Sequence, residues 1–321
     1  MRFTSCILLF MAYLSVSAQQ PAQYSLYFLD PVQFNPAYAG LDNSLSVTGT
    51  IRSQWTNLPG APSGQRISAH LPIYRISSGF GIEAETEEIG ARRFSRFGLS
   101  YNYQIVTGQS VWSFGISARV RQLSLDGSLL RTPEGNYQNS DIIIHNDDLL
   151  FNSTFNSSQY TFGAGLYYQS EKFEGGVAAQ NLNAPALELE ALTWSVRPMY
   201  TAYGRLRIEA FNDWVLYPSL MARSDGLQTQ AEISAIMQKN DNIFVGLSFR
   251  GYDEVSSDAI IISAGLNVSP KVSIAYAHDI SVSNLRSVHD GSHELVVKYN
   301  LRQRIGAGSP PPIIYYPRTK E

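Results

Sequence analysis

Hydrophobic and polar residues alternate one by one along most of the chain after residue 43. In the segment 97–104, Phe97, Leu99, Tyr101 and Tyr103 are separated from one another by small or polar residues. The segments 260–268 and 294–300 repeat this pattern. A period of two predicts β-strands with one apolar face and one polar face. Most of these segments run for about nine to eleven residues, which is the length that a tilted strand needs to cross a bilayer.

Loops of two kinds separate about fourteen such strands, which is an even count of the sort found in bacterial barrels. Short connections are expected near residues 74–78 and 106–111, and longer ones near 87–92 and 126–158. In outer-membrane barrels the tight turns lie on the periplasmic side and the longer loops face outward. The pattern therefore predicts an all-β transmembrane antiparallel β-barrel of about fourteen strands over residues 44–300. An even strand count places both termini on the periplasmic side.

The composition agrees with a barrel wall. Charged residues make up 16% of the chain, against roughly 25% in a soluble domain. Aromatic residues reach 12%, with 19 tyrosines, as expected where aromatic girdles mark the two membrane interfaces. A soluble, tyrosine-rich β-sandwich is the alternative that composition alone leaves open.

Residues 1–18 have the pattern of a secretory signal peptide. Arg2 supplies a positive charge, the stretch 7–14 is apolar, and Val16-Ser17-Ala18 offers a small-residue cleavage site before Gln19. The apolar stretch is too short to span a bilayer as a helix. The single cysteine, Cys6, lies within this segment, so the predicted mature chain has neither a disulfide nor a cysteine metal site.

Charged residues within the strands indicate which face points inward. An arginine or lysine on the lipid face costs roughly 2–4 kcal/mol at the bilayer midplane, so we expect the faces that carry charges to line the lumen. The candidate lumen charges are Glu83, Glu85, Arg119, Arg121, Arg205 and Arg207. Acidic and basic rows in one lumen can neutralise each other, which favours a charge-paired and mostly filled interior. A selective pathway for ions or solutes is the alternative.

Two segments lie outside the predicted wall. Residues 19–43 are rich in glutamine, proline and aromatic residues, and we expect them to form an N-terminal periplasmic or plug segment. Residues 301–321 form a short C-terminal tail with three consecutive prolines at 310–312. Consecutive prolines favour an extended polyproline conformation that cannot join a strand ladder. The tail is expected to be either a periplasmic contact or a disordered end.

Several short motifs are distinctive. The first is the run 34–40, Phe-Asn-Pro-Ala-Tyr-Ala-Gly, and the second is 52–55, Arg-Ser-Gln-Trp, followed by Gly-Ala-Pro at 60–62. Near the end stand Tyr-Ala-His-Asp at 276–279 and Gly-Ser-His-Glu-Leu at 291–295. In order and spacing, from Gln19 to Tyr299, these motifs resemble the PorP/SprF family of type IX secretion-system outer-membrane proteins.

The resemblance implies an outer-membrane barrel that accompanies the secretion machinery. Members of the family are associated with export and surface attachment of particular secreted proteins, including gliding adhesins. The implied partners are a secreted cargo protein, periplasmic ring or peptidoglycan-binding components of the type IX system, and outer-membrane lipid. The family is not known as enzymatic, and the resemblance implies no cofactor.

The run 34–40 also has a physical interpretation. Asn35 precedes Pro36, so its backbone is expected to avoid helical φ and ψ angles. Gly40 is expected to mark a turn. Phe34 and Tyr38 could then wedge into the periplasmic mouth of the barrel as a plug. The alternative is an exposed docking epitope for a partner.

The sequence gives only weak indications of a metal site and none of nucleic-acid binding. His278, His289 and His293 could gather with neighbouring carboxylates and bind a metal, although a polar loop at the outer rim is the favoured interpretation. The run 146–148, Asn-Asp-Asp, lacks the glycine and the distal glutamate of a calcium loop. A formal charge of −3 gives no indication of nucleic-acid binding.

These observations favour a non-enzymatic export barrel. Its main rival is a porin-like or solute-transport channel, and a membrane-embedded lipid hydrolase is a weaker alternative, because no spacing singles out a nucleophile.

Overall fold

The structure is a computed structural model that describes residues 23–137, 144–147, 152–189, 192–252 and 258–308. The predicted signal peptide and most of the C-terminal tail lie outside these residues. Fourteen antiparallel strands close into a barrel, which confirms the predicted fold. Closure is made by the first and last strands, whose register runs from Ser46 opposite Asn300 to Ser53 opposite His293.

The strands follow one another around the wall in chain order, apart from one small hairpin. Seven strands come first: β1 (Ser46–Ser53), β2 (Ser63–Ile73), β3 (Ser78–Ile89), β4 (Arg92–Thr107), β5 (Ser110–Asp126), β6 (Thr154–Ser170) and β7 (Phe173–Gln180). The hairpin β8 (Ala186–Leu189) and β9 (Leu192–Ser195) pairs only with itself. The wall resumes with β10 (Met199–Leu206), β11 (Ile208–Glu209), β12 (Trp214–Ser224), β13 (Thr229–Lys239), β14 (Ile243–Arg250), β15 (Ala259–Asn267), β16 (Val272–Ser281) and β17 (Ser292–Asn300). The two-residue β11 pairs with β12 beside the end of β10 and is not counted as a separate wall strand.

The loops differ from the expected pattern at one end of the barrel. The expected long loop at 87–92 is a turn of two residues, Gly90 and Ala91, because strand pairing continues to Ile89 opposite Arg92. The left-handed φ of +56° at Gly90 permits this tight reversal. β4, β5 and β6 contain 16, 17 and 17 residues, which is longer than expected. β7 pairs with only Ala164–Gln169 of β6, so the rim at the long-loop end is stepped.

The two faces of the wall have the opposite polarity to those of a soluble protein. Large apolar side chains point outward, and Ile116, Ile233 and Leu247 are 63%, 61% and 58% exposed. Small polar side chains such as Ser100, Ser113 and Ser263 are buried on the inner face. A continuous apolar band of this kind is stable only against lipid. Within the described ranges, no helix is long and apolar enough to cross a membrane.

Residues 23–45, which we call the lumen segment, run through the interior of the barrel. Three 3-10 turns shape the segment, at Tyr27–Leu29, Pro31–Gln33 and Pro36–Tyr38. All of its residues are buried except Leu29, Gln33, Asn43 and Leu45, which are half-buried. Its apolar residues pack with inward-facing Tyr167, Tyr203 and Met221 into the main hydrophobic core. The core of this protein therefore lies inside the barrel.

The lumen segment extends over much of the height of the barrel. Ser25 bonds Glu294 close to the long-loop end of β17, whereas Ser44 bonds Gln303 at the short-turn end. Its first described residues therefore lie deeper than the short-turn mouth where sequence analysis placed the plug.

Candidate functional site

Asn35 joins the lumen segment to the wall. Its side-chain amide donates to the backbone carbonyls of Leu166 on β6 and Val177 on β7, at 3.0 and 3.3 Å. Its Oδ1 accepts from the backbone N–H of Ala37 at 3.0 Å, which caps the turn at Pro36–Tyr38. The backbone at Asn35 is extended, with φ of −138°, as expected before proline. One side chain thus organises the turn and binds it to two strands.

The wall donates hydrogen bonds to the backbone that follows. Asn102 on β4 donates to the carbonyls of Ala37 and Ala39, at 2.9 and 2.6 Å. Ser113 on β5 donates to the carbonyl of Ala37 at 2.6 Å, and Gln104 donates more weakly to that of Ala39. All these groups are buried, so leaving one unpaired would cost about 1–3 kcal/mol. The polar positions of β4 and β5 therefore serve the lumen segment.

Glycines in the wall allow the segment to approach this closely. A Cβ built on Gly79 would lie 1.9 Å from the carbonyl oxygen of Ala39, and one on Gly115 would lie 2.3 Å from the nitrogen of Ala37. A Cβ on Gly165 would lie 2.1 Å from Oδ1 of Asn35. Any side chain at these positions would displace the run 34–40, so the three glycines form its seat.

Gly40 ends the run with a backbone conformation that suits glycine. Its φ is +79°, and its N–H donates to Nδ1 of His70 at 3.0 Å. A Cβ there would lie 2.9 Å from the carbonyl oxygen of Leu71.

The aromatic residues of the run pack inside the barrel. The Tyr38 ring makes edge contacts with Tyr167 and His70, at centroid distances of 5.1 and 5.9 Å. Phe34 meets Tyr203 in the same way at 5.4 Å. Phe34, Asn35, Pro36 and Tyr38 are all buried. While the segment occupies the lumen, these residues offer no exposed docking surface.

Asp42 is a hub at the short-turn end of the lumen. It accepts from the Tyr38 hydroxyl at 2.7 Å and from Ser46 at 2.6 Å, and Lys298 lies at 2.7 Å. Asp42 is buried, and the positive charge of Lys298 beside it offsets the cost of burying the carboxylate. Lys298 also donates to the carbonyl of Leu29. This hub fixes the segment to β17, the strand that closes the barrel.

A first charge network lies beside the middle of the segment. Arg66 bridges Asp30 of the segment to Glu83 on β3, and Glu83 also pairs with Arg119 on β5. Glu85 pairs with Arg96 on β4 and lies 3.6 Å from Arg66. The arginine rows and glutamate rows of neighbouring strands thus meet directly.

A second network holds the beginning of the segment. Its charged members are Arg52, Arg250, Glu232, Asp279 and Glu294, all of which are buried. The backbone N–H groups of Ser25 and Leu26 donate to Glu294 at 2.7 and 2.9 Å. The Ser25 hydroxyl contacts Asp279, Arg52 and Arg250.

The remaining candidate lumen charges, Arg205, Arg207 and Arg121, differ in the groups that they contact. Arg205 pairs with Glu174 at 2.8 Å and lies over the Tyr217 ring. Arg207 pairs with the exposed Glu209 near the short-turn rim. Arg121 has no ion pair among the residues that the structure describes, and its guanidinium lies 6.0 Å from the centre of the Phe94 ring.

Several of the groups that hold the segment are not singled out by the sequence pattern. Arg52 and Glu294 lie in two of the quoted motifs, but their places in the lumen were not inferred. Arg250 and Glu232 fall on the same strand faces as inward Ser248 and Ser234, so the period-two rule could have found them. His70 falls on the same face of β2 as inward Ser68, but its hydrogen bond to Gly40 could not be inferred, because it depends on where the lumen segment lies.

The three rim histidines do not form one cluster with their neighbouring carboxylates. His278 and His293 lie opposite each other on β16 and β17 with their rings 4.7 Å apart, while the adjacent Asp279 and Glu294 point inward. His289 stacks near Trp55 and accepts from the Gly291 N–H. In the described part of the chain, no three metal-binding side chains form a group. Part of the run 146–148 lies outside the described residues.

The closed wall, the apolar outer band and the polar interior define an outer-membrane β-barrel. The family model for the type IX secretion system membrane protein PorP/SprF matches residues 16–299. The chain therefore belongs to the PorP/SprF family, as the motifs predicted. Family and fold place it in the outer membrane, and they are those of a secretion or transport barrel and not of an enzyme family.

No curated protein sequence matches the chain. Among solved structures, the CymD monoaromatic hydrocarbon channel is similar, with a TM-score of 0.50 and 10% identity over 86% of this chain and 94% of that one. The toluene transporter TbuX of Ralstonia pickettii has a TM-score of 0.49 and 10% identity over 85% and 92%. The outer-membrane protein Omp33 of Acinetobacter baumannii has a TM-score of 0.47 and 8% identity over 80% and 98%. At these identities the likeness concerns the barrel fold alone.

Proposed function

We propose that this barrel supports export or surface attachment of particular secreted proteins, such as gliding adhesins, as a non-enzymatic component of the type IX system. The observation that carries the proposal is the occupied lumen. The protein's own chain fills the interior, and buried ion pairs tie it to the wall. A solute channel needs an open, hydrated path, whereas a component that binds cargo or machinery does not.

The short-turn end is the proposed periplasmic side, where ring or peptidoglycan-binding components would make contact. The long-loop end is the proposed outer side, where the loops 127–153 and 181–198 would meet the secreted protein. In this arrangement the chain enters β1 and leaves β17 on the periplasmic side. Outer-membrane lipid surrounds the apolar band.

The test compares wild-type cells with cells that lack this protein. Surface proteins are labelled on intact cells and quantified. We expect a small set of secreted proteins to disappear from the surface, while other type IX cargo stays at its normal level. Complementation with the wild-type chain should restore them. An unchanged surface, combined with reduced uptake of a small solute, would instead favour the porin-like channel.

Tyr38 gives a sharper version of this test. Tyr38→Ala removes the ring contacts to Tyr167 and His70 and the hydroxyl bond to Asp42, and Tyr38 lies outside every wall strand. We expect a folded barrel in the outer membrane, recognised by its heat-dependent gel shift, with reduced display of cargo. Tyr38→Phe keeps the ring and loses only the hydroxyl bond to Asp42, so it separates the effect of the ring from that of the hydroxyl. Normal cargo display by a folded Tyr38→Ala protein would contradict the proposed role of the run 34–40.

A further inference from the structure

An unassigned polar pocket lies in the half of the lumen near the long-loop end. It has a volume of about 40 Å³ and is bounded on one side by Gln23 and Phe34 of the lumen segment. Arg96 on β4, Arg121 on β5 and Arg223 on β12 line it, and we call it the arginine pocket. None of the described residues that line it is acidic. Three cations therefore face one small cavity, and the described part of its wall contains no carboxylate.

The charge of the pocket is only partly offset by the described residues around it, because Glu85 and Glu87 act on Arg121 and Arg223 from beyond its lining. Arg96 has an ion pair with Glu85, but Arg121 and Arg223 have none with any residue that the structure describes. All other lumen arginines named above have a carboxylate partner. The side chains of Arg121 and Arg223 are both half-buried, so an anion beside them would offset part of the cost of removing their charges from water.

Hydrogen-bond donors are also left over. The Nε atoms of Arg96 and Arg223 are buried and have no acceptor. The amide nitrogens of the neighbouring glutamines are already used: that of Gln23 donates to Glu232, and that of Gln180 donates to the carbonyl of Gln33. Gln23 Oε1 is a neutral acceptor that has no donor, and the described lining contains no negatively charged acceptor.

The size of the cavity limits what can fill it. A volume of about 40 Å³ has room for roughly three water-sized groups, so the cavity admits only the charged part of a small oxyanion and excludes larger ligands. Guanidinium groups bind such oxyanions through paired N–H donors. We propose that the arginine pocket binds one small oxyanion, the chemistry that carboxylate and phosphate groups share.

A bound oxyanion would link separate parts of the molecule. β4 and β5 are neighbours, but β12 is separated from β5 by three strands, β6, β7 and β10. An anion held by Arg121 and Arg223 would bridge these parts of the wall beside the beginning of the lumen segment. Binding would thereby favour the state in which the segment occupies the lumen.

Inorganic phosphate is the probe. The full mature barrel is folded in detergent micelles and titrated with phosphate by calorimetry, near neutral pH, in sodium chloride of constant ionic strength. We expect saturable binding with one site per barrel. Acetate, added in a second titration, identifies the source: competition by acetate indicates a carboxylate ligand, and binding of phosphate alone indicates a phosphate. Both results support an oxyanion site.

Substitutions of the pocket arginines test whether phosphate binds in the arginine pocket. Arg121→Gln and Arg223→Gln should each weaken phosphate binding by about tenfold or more, because each removes a charged donor. Arg93→Gln is the control, because Arg93 pairs with Glu88 on the exposed outer surface. The heat-dependent gel shift checks folding, and Arg223→Lys replaces Arg223→Gln if the latter fails to fold; losing the guanidinium fork should still weaken binding. Absence of saturable binding, or equal binding by wild type and both pocket variants, would overturn the proposal.

Discussion

At the scale of single residues, the glycines of the wall matter as much as the side chains that donate hydrogen bonds. Asn102 and Ser113 can reach the carbonyls of Ala37 and Ala39 because Gly79 and Gly115 let the backbone of the segment lie against the wall. The sequence shows these glycines only as small residues on a polar face. Nothing in their spacing reveals that another chain segment rests on them, since that segment lies tens of residues away.

Gly79 offers a direct test of this seat. Gly79→Ala would place a Cβ 1.9 Å from the backbone oxygen of Ala39, so the segment has to shift. We expect a loss of about 1–3 kcal/mol of stability, as for overpacked cores, seen as a lower midpoint of the heat-dependent gel shift.

Gly81→Ala is the matched control, because Gly81 lies on the same face of β3 and its Cβ would meet Ala39 at an ordinary 3.4 Å. Equal midpoints for the two variants would show that the seat does not depend on close backbone approach.

At the scale of elements, the long-loop end carries most of the variation. β5 and β6 extend beyond β7, and the connection 127–153 between them leaves from this stepped rim. The connections at the other end are short, such as Gly108–Gln109 between β4 and β5. This asymmetry was evident from the sequence, except at Gly90–Ala91, where the charged residues on either side belong to strands and not to a loop.

The asymmetry predicts how the barrel is oriented. A protease recognition site inserted in the connection 127–153 should be cut on intact cells, because long loops of such barrels face outward. The same site inserted at Gly108–Gln109 should be cut only after the outer membrane is opened. Immunoblotting of the fragments measures both. Cleavage of the second insertion alone on intact cells would mean that the orientation is inverted.

At the scale of the whole molecule, the lumen segment replaces the water or ligand that other barrels hold. It makes no strand ladder with the wall, and its attachment consists of side-chain hydrogen bonds, ion pairs and apolar packing. Removing it should therefore leave the fourteen-strand ladder intact while opening the interior.

Conductance distinguishes the filled barrel from the emptied one. We expect the purified wild-type protein to show little steady conductance in a planar bilayer. A variant that lacks residues 23–40 should give larger and more stable currents, because the wall strands begin only at Ser46. Large, stable currents from the wild-type protein would favour the porin-like channel instead.

The sequence by itself determined the strand period, the approximate strand number, the face that meets lipid and the family. These properties are local, since each depends on neighbours two residues apart or on short motifs. Only the tertiary structure decided which charges pair, how deep the segment lies and that Arg121 and Arg223 of the lumen have no ion pair among the described residues. Ser25 and Glu294, for example, bond across 269 positions of the chain. Such contacts depend on the register between strands and on closure of β1 against β17. Both are properties of the whole barrel, so they cannot be read from the alternation of residues within one strand.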